Sequence, residues 1–400
     1  MNRVDRVRKG DLLSRTPLRG GRVVIIGGGV VGLSIAYHLT VRGYRDVALV
    51  ERWTLGSGAT SKGTGGIRQQ FSSRVNIVLS RLAVDYFAGF QDRVGGSARF
   101  RQHGYLFLLD RADQLEVFRK NAAKQLEVGV PVRLLKPEEI PEVMPHVNTD
   151  GLLGASYCRT DGSASPEDVV KAFARGARIH GAKLMEDTTV TAIERDAHGA
   201  VSAVDTTRGR LAAEAVVNAA GPWAAEVGRL VSIELPIVPY RRQAFQISSL
   251  GWLDADLPLT VDLASGAYVH PRPGGGVIGG NDRNVRAGFD EEVDWSLVPA
   301  LREALTRRIP RMAEAEIIRG WAGLRDMTPD EHALVGPIAA VPGFWTAAGF
   351  SGHGFMHSPV VGELLSEWLV DGEPTLDLSA LRPERFDEGA GASETETTVF

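Results

Sequence analysis

Between Arg22 and Leu39 an apolar run, Val-Val-Ile-Ile, breaks into three glycines and resumes as Val-Val-Gly-Leu-Ser-Ile-Ala-Tyr-His-Leu at helical spacing. That pattern predicts a strand, a tight turn and a helix. Asp46-Val-Ala-Leu-Val50 follows as a second strand. Ile77 to Phe90 places Leu79, Leu82, Ala83, Tyr86 and Phe90 on one face and predicts an amphipathic helix. From Gly104 to Glu142 the pattern changes to a strand over Tyr105–Leu109, a charged helix over Arg111–Glu127 and a short strand near Val132. Ser165-Pro-Glu-Asp then opens a helix to about His180, with Ser165 as N-cap, Pro166 in the first turn and acids facing the dipole. Strands are expected at Thr188–Glu194, Val201–Thr206 and Ala215–Asn218, the last running into the turn Ala-Ala-Gly-Pro-Trp223. Short runs at Arg241–Ser248, Leu259–Asp262, Ala267–His270 and Val277–Gly280 predict an antiparallel sheet. Trp295–Arg308 reads as a further amphipathic helix, and Phe344 to Trp368 repeats the opening pattern of strand, glycine turn and helix.

The chain of 400 residues exceeds the size at which one core keeps growing, so two lobes are expected, with 44% hydrophobic residues to fill them. A net charge of -4 gives no general attraction for nucleic acid or anionic membrane. No uncharged apolar run reaches about 18 residues, so no membrane span is expected. A single cysteine, Cys158, excludes an internal disulfide and a cysteine-based metal site, and fits a reducing cytoplasm. Residues 1–21 read as a flexible N-terminal extension. Residues 387–400, rich in Glu, Gly, Ala, Ser and Thr, read as a disordered tail.

Gly27, Gly29 and Gly32 stand as G-x-G-x-x-G: one for the turn, one for close approach of a pyrophosphate, one for packing of helix on strand. Glu51 ends the second strand about 20 residues later, where a carboxylate can accept ribose hydroxyls. The loop from Gly56 to Phe71 is rich in glycine and hydroxyls and exposes backbone donors that can wrap a phosphate or lie against a ring. Ser57, Ala59, Thr60, Ser61, Gly65, Gly66 and Ile67 of that loop are candidate cofactor residues. A second turn, with Gly349, Gly352 and Gly354, stands at the far end of the chain. One pyrophosphate needs one cradle, so two such turns point to a larger, two-ended cofactor. The helix beginning near Gly352 could aim its positive end at a flavin's pyrimidine edge.

Four stretches in this order, Val24-Ile-Ile-Gly-Gly-Gly-Val-Val-Gly32 with Glu51-Arg52, Val216-Val-Asn-Ala-Ala-Gly-Pro-Trp223, Trp321-Ala-Gly-Leu-Arg325 and Gly349-Phe-Ser-Gly-His-Gly-Phe355, resemble the FAD-dependent oxidoreductases of the D-amino-acid oxidase type. The resemblance is especially to glycine oxidase and sarcosine oxidase β-subunit relatives, and covers about Arg22 to Phe386. The resemblance implies an α/β architecture, in which a Rossmann-like FAD-binding domain (22–88, 151–232 and 320–373) is interleaved with a smaller mixed or antiparallel-sheet substrate domain (89–150 and 233–319). It implies FAD with its adenosine at Glu51 and Val190, with Arg52 a further candidate cofactor residue. Ala220, Gly221 and Trp223 are further candidate cofactor residues, and the isoalloxazine is implied near Gly65, Gly66, Ile67 and the turn Gly352, His353, Gly354, Phe355, Met356.

The reaction implied is hydride transfer from the carbon beside an amine nitrogen to flavin N5, giving an imine that water hydrolyses. Arg325 matches a carboxylate-binding arginine, Arg68 a substrate-binding arginine, and Tyr268 a residue facing the substrate; His353 flanks the flavin with a minor role, and His357 has none. No metal is implied. Non-covalent flavin is expected, because Cys158 does not lie in the Gly352 turn. Where some relatives carry lysines near the flavin, this chain has Val277-Ile278-Gly279 and Met356, which leaves oxygen or an electron carrier open as acceptor. Two alternatives stay open: a flavin dehydrogenase of a 2-hydroxy acid, and a β-type subunit of a larger amino acid dehydrogenase. A homo-oligomer or a partner subunit is compatible with each.

Overall fold

The computed structural model describes residues 17–280, 285–386 and 395–398. Its first sheet has six strands in the order Leu334–Pro337, Phe344–Ala348, Ala215–Asn218, Val23–Ile26, Val47–Val50, Lys183–Met185. All neighbours are parallel except the edge pair Leu334–Pro337 and Phe344–Ala348. Parallel strands covered on both faces carry apolar side chains without alternation. Val23, Val24 and Ile25 accordingly have no exposed surface, with odd positions in one core and Val24 in another. The helices Val30–Val41, Pro166–Ile179 and Gly354–Asp371 cover one face, and a three-stranded sheet (Val190–Arg195, Val201–Thr206, Gly209–Ala212) covers the other.

The second sheet has eight strands: Ile317–Met327, Val238–Ile247, Gly275–Gly279, Tyr268–Arg272, Leu259–Asp262, Tyr105–Leu109, Gly154–Cys158, Val132–Leu135. It is antiparallel save for Leu259–Asp262 beside Tyr105–Leu109. Here side chains alternate. Leu106 and Leu108 join Phe245, Ile278 and the helix Val298–Arg308 in one core, while Tyr105, Phe107, Leu259 and Val261 face the opposite way. That opposite face looks toward the first lobe and walls the cavity described below.

Ser165 caps its helix as its sequence predicts, accepting from the Asp168 backbone N–H at 3.3 Å, with Pro166 in the first turn. Two boundaries differ from expectation. Gly154–Cys158, assigned to the FAD lobe by the 151–232 segment, pairs with Tyr105–Leu109 and Val132–Leu135 in the second sheet. Ile317–Met327 also belongs to that sheet through its long pairing with Val238–Ile247, although 320 onward was expected in the FAD lobe. Crossings between lobes therefore fall on either side of these strands. The N-terminal extension and most of 387–400 lie outside the described residues, but Thr395–Thr398 correct the reading of a disordered tail: Glu396 and Thr398 are buried. Among the described residues no helix is long and apolar enough to cross a membrane.

Candidate active site

Between the two sheets runs a continuous cavity of about 500 Å³ that draws its walls from the N-terminal turn, the second glycine turn and the second sheet. At one end the helix Val30–Val41 opens without a side-chain cap and without an acid in its first turn. Its first-turn N–H groups and dipole suit a phosphate. Gly27 has φ 113°, and a Cβ there would lie 2.4 Å from the Ala219 carbonyl. Gly32 serves packing instead: its Cβ would stand 2.0 Å from the Gly27 carbonyl oxygen. Gly29 borders the cavity, and the Thr60 hydroxyl accepts the Val30 N–H at 3.2 Å. Glu51 is held at the strand end by the Gly28 N–H (2.7 Å) and the Trp53 N–H (2.8 Å). Arg52 lies between the Trp53 and Trp223 rings, 3.9 and 4.2 Å from their centroids. This cradle, with Val190, Ala220 and Gly221 also on the cavity wall, fits the dinucleotide end of FAD.

At the other end the eighteen-residue helix Gly354–Asp371 also begins without a side-chain cap or an early acid, behind Gly352 at φ 94° and Ser351 at φ 51°. Asp326 ties this turn down: its Oδ2 accepts from the Gly349 N–H at 2.7 Å and the Phe350 N–H at 3.1 Å. Burial raises the Asp326 carboxyl to about 6, against these hydrogen bonds and the neighbouring Arg325 charge, which lower it. Trp321, Gly323 and Arg325 alternate along one strand and all line the cavity. Arg325 packs on the second turn so closely that a Cβ on Gly352 would lie 2.9 Å from its Nε. Tyr268 and Tyr105 face the same space, and the Tyr105 hydroxyl sits 1.8 Å from where a Gly66 Cβ would stand. Only glycine fits at 66.

Arg68, 6% exposed, donates to the Gln70 carbonyl at 2.7 Å and to the Thr398 carbonyl, and its guanidinium lies 3.9 Å over the Phe71 ring. His353 stands 3.4 Å from Arg68 Nη2 and edge-on to Phe71. Burial, then the charge of Arg68, pushes His353 well below the usual histidine range, so its ring is neutral. His357 is turned to Ser80, 2.8 Å away, and burial lowers it to about 3.

Of the residues proposed from sequence, the cavity gathers Gly27, Gly29, Glu51, Arg52, Ala59, Thr60, Gly65, Gly66, Arg68, Val190, Ala220, Gly221, Trp223, Tyr268, Arg325, Gly352, His353, Gly354, Phe355 and Met356. Five do not line it. Gly32 packs helix on strand; Ser57 and Ser61 spend their hydroxyls on the carbonyls of Thr54 and of Ser57 and Gly58; Ile67 is core; Gly349 faces Thr328 and Ile237. Sequence reasoning missed Lys62, Tyr105, Gln243 and Asp326 as wall residues. Lys62 had a signal, since it stands inside the glycine and hydroxyl loop. Val277 and Ile278 are buried and off the cavity, whereas Lys62 of the Gly56–Phe71 loop lines it.

A family model described as FAD dependent oxidoreductase (DAO) matches residues 22–368. Dimethylglycine dehydrogenase of Rattus norvegicus mitochondria is 30% identical over 93% of the chain, and glycine oxidase of Geobacillus kaustophilus 31% identical over 89% of the chain and 95% of its own length. The chain spans about half the length of the dimethylglycine dehydrogenases it matches, 46% for the rat enzyme. Among solved structures, the L-proline dehydrogenase from P. horikoshii superposes with a TM-score of 0.87 at 33% identity, covering 92% of this chain and 98% of that one. Glycine oxidase from Geobacillus kaustophilus superposes with a TM-score of 0.81 at 29% identity, over 91% of this chain and 98% of that one. The matched span takes in both sheets, both glycine turns and the cavity between them: the chain belongs to the DAO family of FAD-dependent oxidoreductases.

Proposed function

We propose that this chain oxidises the C–N bond of an amino acid or N-methyl amino acid. The observation that carries the reading is Arg325, set against the Gly352 turn on the wall of the cavity that Tyr268 and Arg68 also line, where its planar fork can pair with a substrate carboxylate. Glycine oxidase, dimethylglycine dehydrogenase and proline dehydrogenase relatives, by their names, act on such substrates. FAD, when bound, supplies the acceptor for the hydride and its electron pair. The chain's own residues bind and orient. Arg325 fixes the carboxylate, Tyr268 and Tyr105 bound the side-chain space, and the uncapped helix at Gly354 would favour negative charge on a cofactor bound against its start. The substrate nitrogen's lone pair assists departure of the hydride, and water then hydrolyses the imine to an amine and the carbonyl compound of the oxidised carbon. A 2-hydroxy acid would need a strong general base, and the depressed basicity of His353 makes it a poor one.

Non-covalent flavin fits Cys158, which is buried, bonded to Thr160 and off the cavity wall. The acceptor, oxygen or an electron carrier, turns on Lys62, which lines the cavity while Val277 and Ile278 lie off it: Lys62→Met should slow turnover with oxygen if oxygen is the acceptor and leave turnover with a dye acceptor unchanged. A cytoplasmic setting agrees with the free thiol.

Arg325→Ala tests the assignment. A charge-assisted hydrogen bond is worth about 1.5–3 kcal/mol, so kcat/KM should fall roughly 10- to 100-fold with FAD content unchanged. Arg325→Lys should recover part of the loss. A substrate analogue with an amide for the carboxylate should be poor with the parent and indifferent to the substitution. Parental kcat/KM in Arg325→Ala at full FAD content would place the carboxylate anchor elsewhere.

A further inference from the structure

Residues 395–398 return to the substrate end of the cavity, more than three hundred positions along the chain from the helix they meet. Glu396 is 1% exposed. Its Oε1 accepts from the Ser72 N–H (2.9 Å) and hydroxyl (2.6 Å); its Oε2 accepts from the Ser73 N–H (3.1 Å), the Ser73 hydroxyl (2.8 Å) and Asn76 Nδ2 (3.2 Å). Ser73 is the N-cap position of the fifteen-residue helix Arg74–Ala88 and makes no cap of its own, because its hydroxyl is given to Glu396. A residue 323 positions distant from Ser73 thus holds the N–H groups just before the helix, its negative charge set at the positive end of the dipole. The Thr398 N–H and hydroxyl close on the same carboxylate at 3.0 and 2.5 Å. The Glu396 N–H donates to the Asp330 carbonyl at 3.1 Å and the Thr397 N–H to the Ser72 hydroxyl at 2.9 Å.

This fastening has a consequence on the cavity wall. The Thr398 carbonyl accepts from Arg68 Nη2, while Arg68 Nη1 is held by the Gln70 carbonyl. Burial works against the Arg68 charge, and Glu396 is foremost among the nearby groups that support it. The short segment therefore supplies Arg68 with both an acceptor and a counter-charge.

We propose that Glu396 is a positioning residue: by fastening 395–398 to the start of the Arg74–Ala88 helix, it sets the Arg68 guanidinium in the wall of the substrate site. The inference rests on the reading that this cavity receives a substrate carboxylate. Arg325 takes that carboxylate, and Arg68, held by backbone carbonyls, shapes the electropositive wall of the same cavity.

Glu396→Ala in the full-length, FAD-loaded protein tests this. KM for the carboxylate substrate should rise about 10-fold, the scale of one charge-assisted hydrogen bond. In the same variant kcat should stay within about twofold, FAD content should be unchanged, and the amide analogue should be unaffected. Amide exchange at Ser72, Ser73 and Asn76 should quicken, reporting release of the segment without reference to substrate. If Glu396→Ala folds poorly, the double variant Ser72→Ala with Ser73→Ala loosens the same anchor and should move KM in the same direction by less. Faster exchange with KM unchanged would leave the segment a structural tie only and overturn the proposal. A fall in KM would overturn it too, making the segment a competitor of substrate. Should Arg325→Ala discriminate carboxylate from amide while Glu396→Ala does not, the present proposal fails and the functional reading stands; should neither discriminate, the functional reading itself fails.

Discussion

Gly352→Ala probes the second turn and the arginine beside it in one substitution. Gly352 holds φ 94°, a conformation that costs an L side chain about 1–3 kcal/mol. The added Cβ would also stand 2.9 Å from Arg325 Nε, 3.1 Å from its Cδ and 3.2 Å from its Cζ. A side chain can yield where backbone cannot, so Arg325 should swing away from the turn. Displacing a substrate-orienting group by about 1 Å costs on the order of 100-fold in rate. The expected result is a modest loss of thermal stability with a fall in kcat/KM of that order for carboxylate substrates and little change for the amide analogue. Gly354→Ala is the control two residues on: it lies inside the helix, and its Cβ would meet Phe350 at 3.3–3.5 Å, a contact that small shifts relieve. It should lose no more than a few-fold. Thermal melting, flavin absorbance of the purified variants and steady-state kinetics on both substrates read the three quantities. Parental kcat/KM in Gly352→Ala, or a larger loss in Gly354→Ala, would refute the placement of Arg325 against this turn.

Gly32→Ala drives a Cβ to 2.0 Å from the Gly27 carbonyl oxygen, so the variant should be recovered largely free of flavin, which the absorbance ratio of purified protein checks. Asp326 is raised by burial to about 6, above its unfolded value of about 3.9, so its contribution to stability is fully present below the unfolded value and lost as pH rises through about 6. Because Oδ2 alone takes both turn N–H groups, Asp326→Asn keeps an acceptor there and should flatten that part of the melting temperature's pH dependence; an unchanged slope contradicts it. For Glu396, burial would raise the carboxyl, but hydrogen bonds from Ser72, Thr398 and Ser73 outweigh it and hold it at about 2. The anchoring is therefore present above the unfolded value and lost only as pH falls through about 2, so amide protection at Ser72 and Ser73 should persist at pH 4.

The features legible in the sequence were those written in local sterics. Gly32 is required by a contact within the same strand, turn and helix, Gly27 by its own positive φ as well as by the distant Ala219 carbonyl, and Ser165-Pro-Glu-Asp declares a helix start by its own hydrogen bonds. Trp321, Gly323 and Arg325 were reached through the family resemblance, and the period of two on the strand Ile317–Met327 is what puts them on one face. Sheet membership was harder. Gly154–Cys158 has the same apolar look wherever it pairs, and its partners lie about 20 to 50 positions earlier in the chain. The segment around Glu396 was misread for the same reason: Glu, Ser and Thr bury little by themselves, and the donors that make burial of the carboxylate possible stand on a helix near the start of the fold. Lys62 and Asp326 were passed over because each sits beside a residue with a stronger motif.

The central claim is that an amino acid or N-methyl amino acid reduces the flavin directly. FAD-loaded protein should be mixed anaerobically with a panel of amino acids, N-methyl amino acids, their amides and 2-hydroxy acids, following the flavin band near roughly 450 nm. The account predicts bleaching by one or more members carrying both an amine and a carboxylate, slowed by Arg325→Ala and weak with the matching amide. Bleaching by 2-hydroxy acids alone, or equal bleaching by acid and amide, would contradict it.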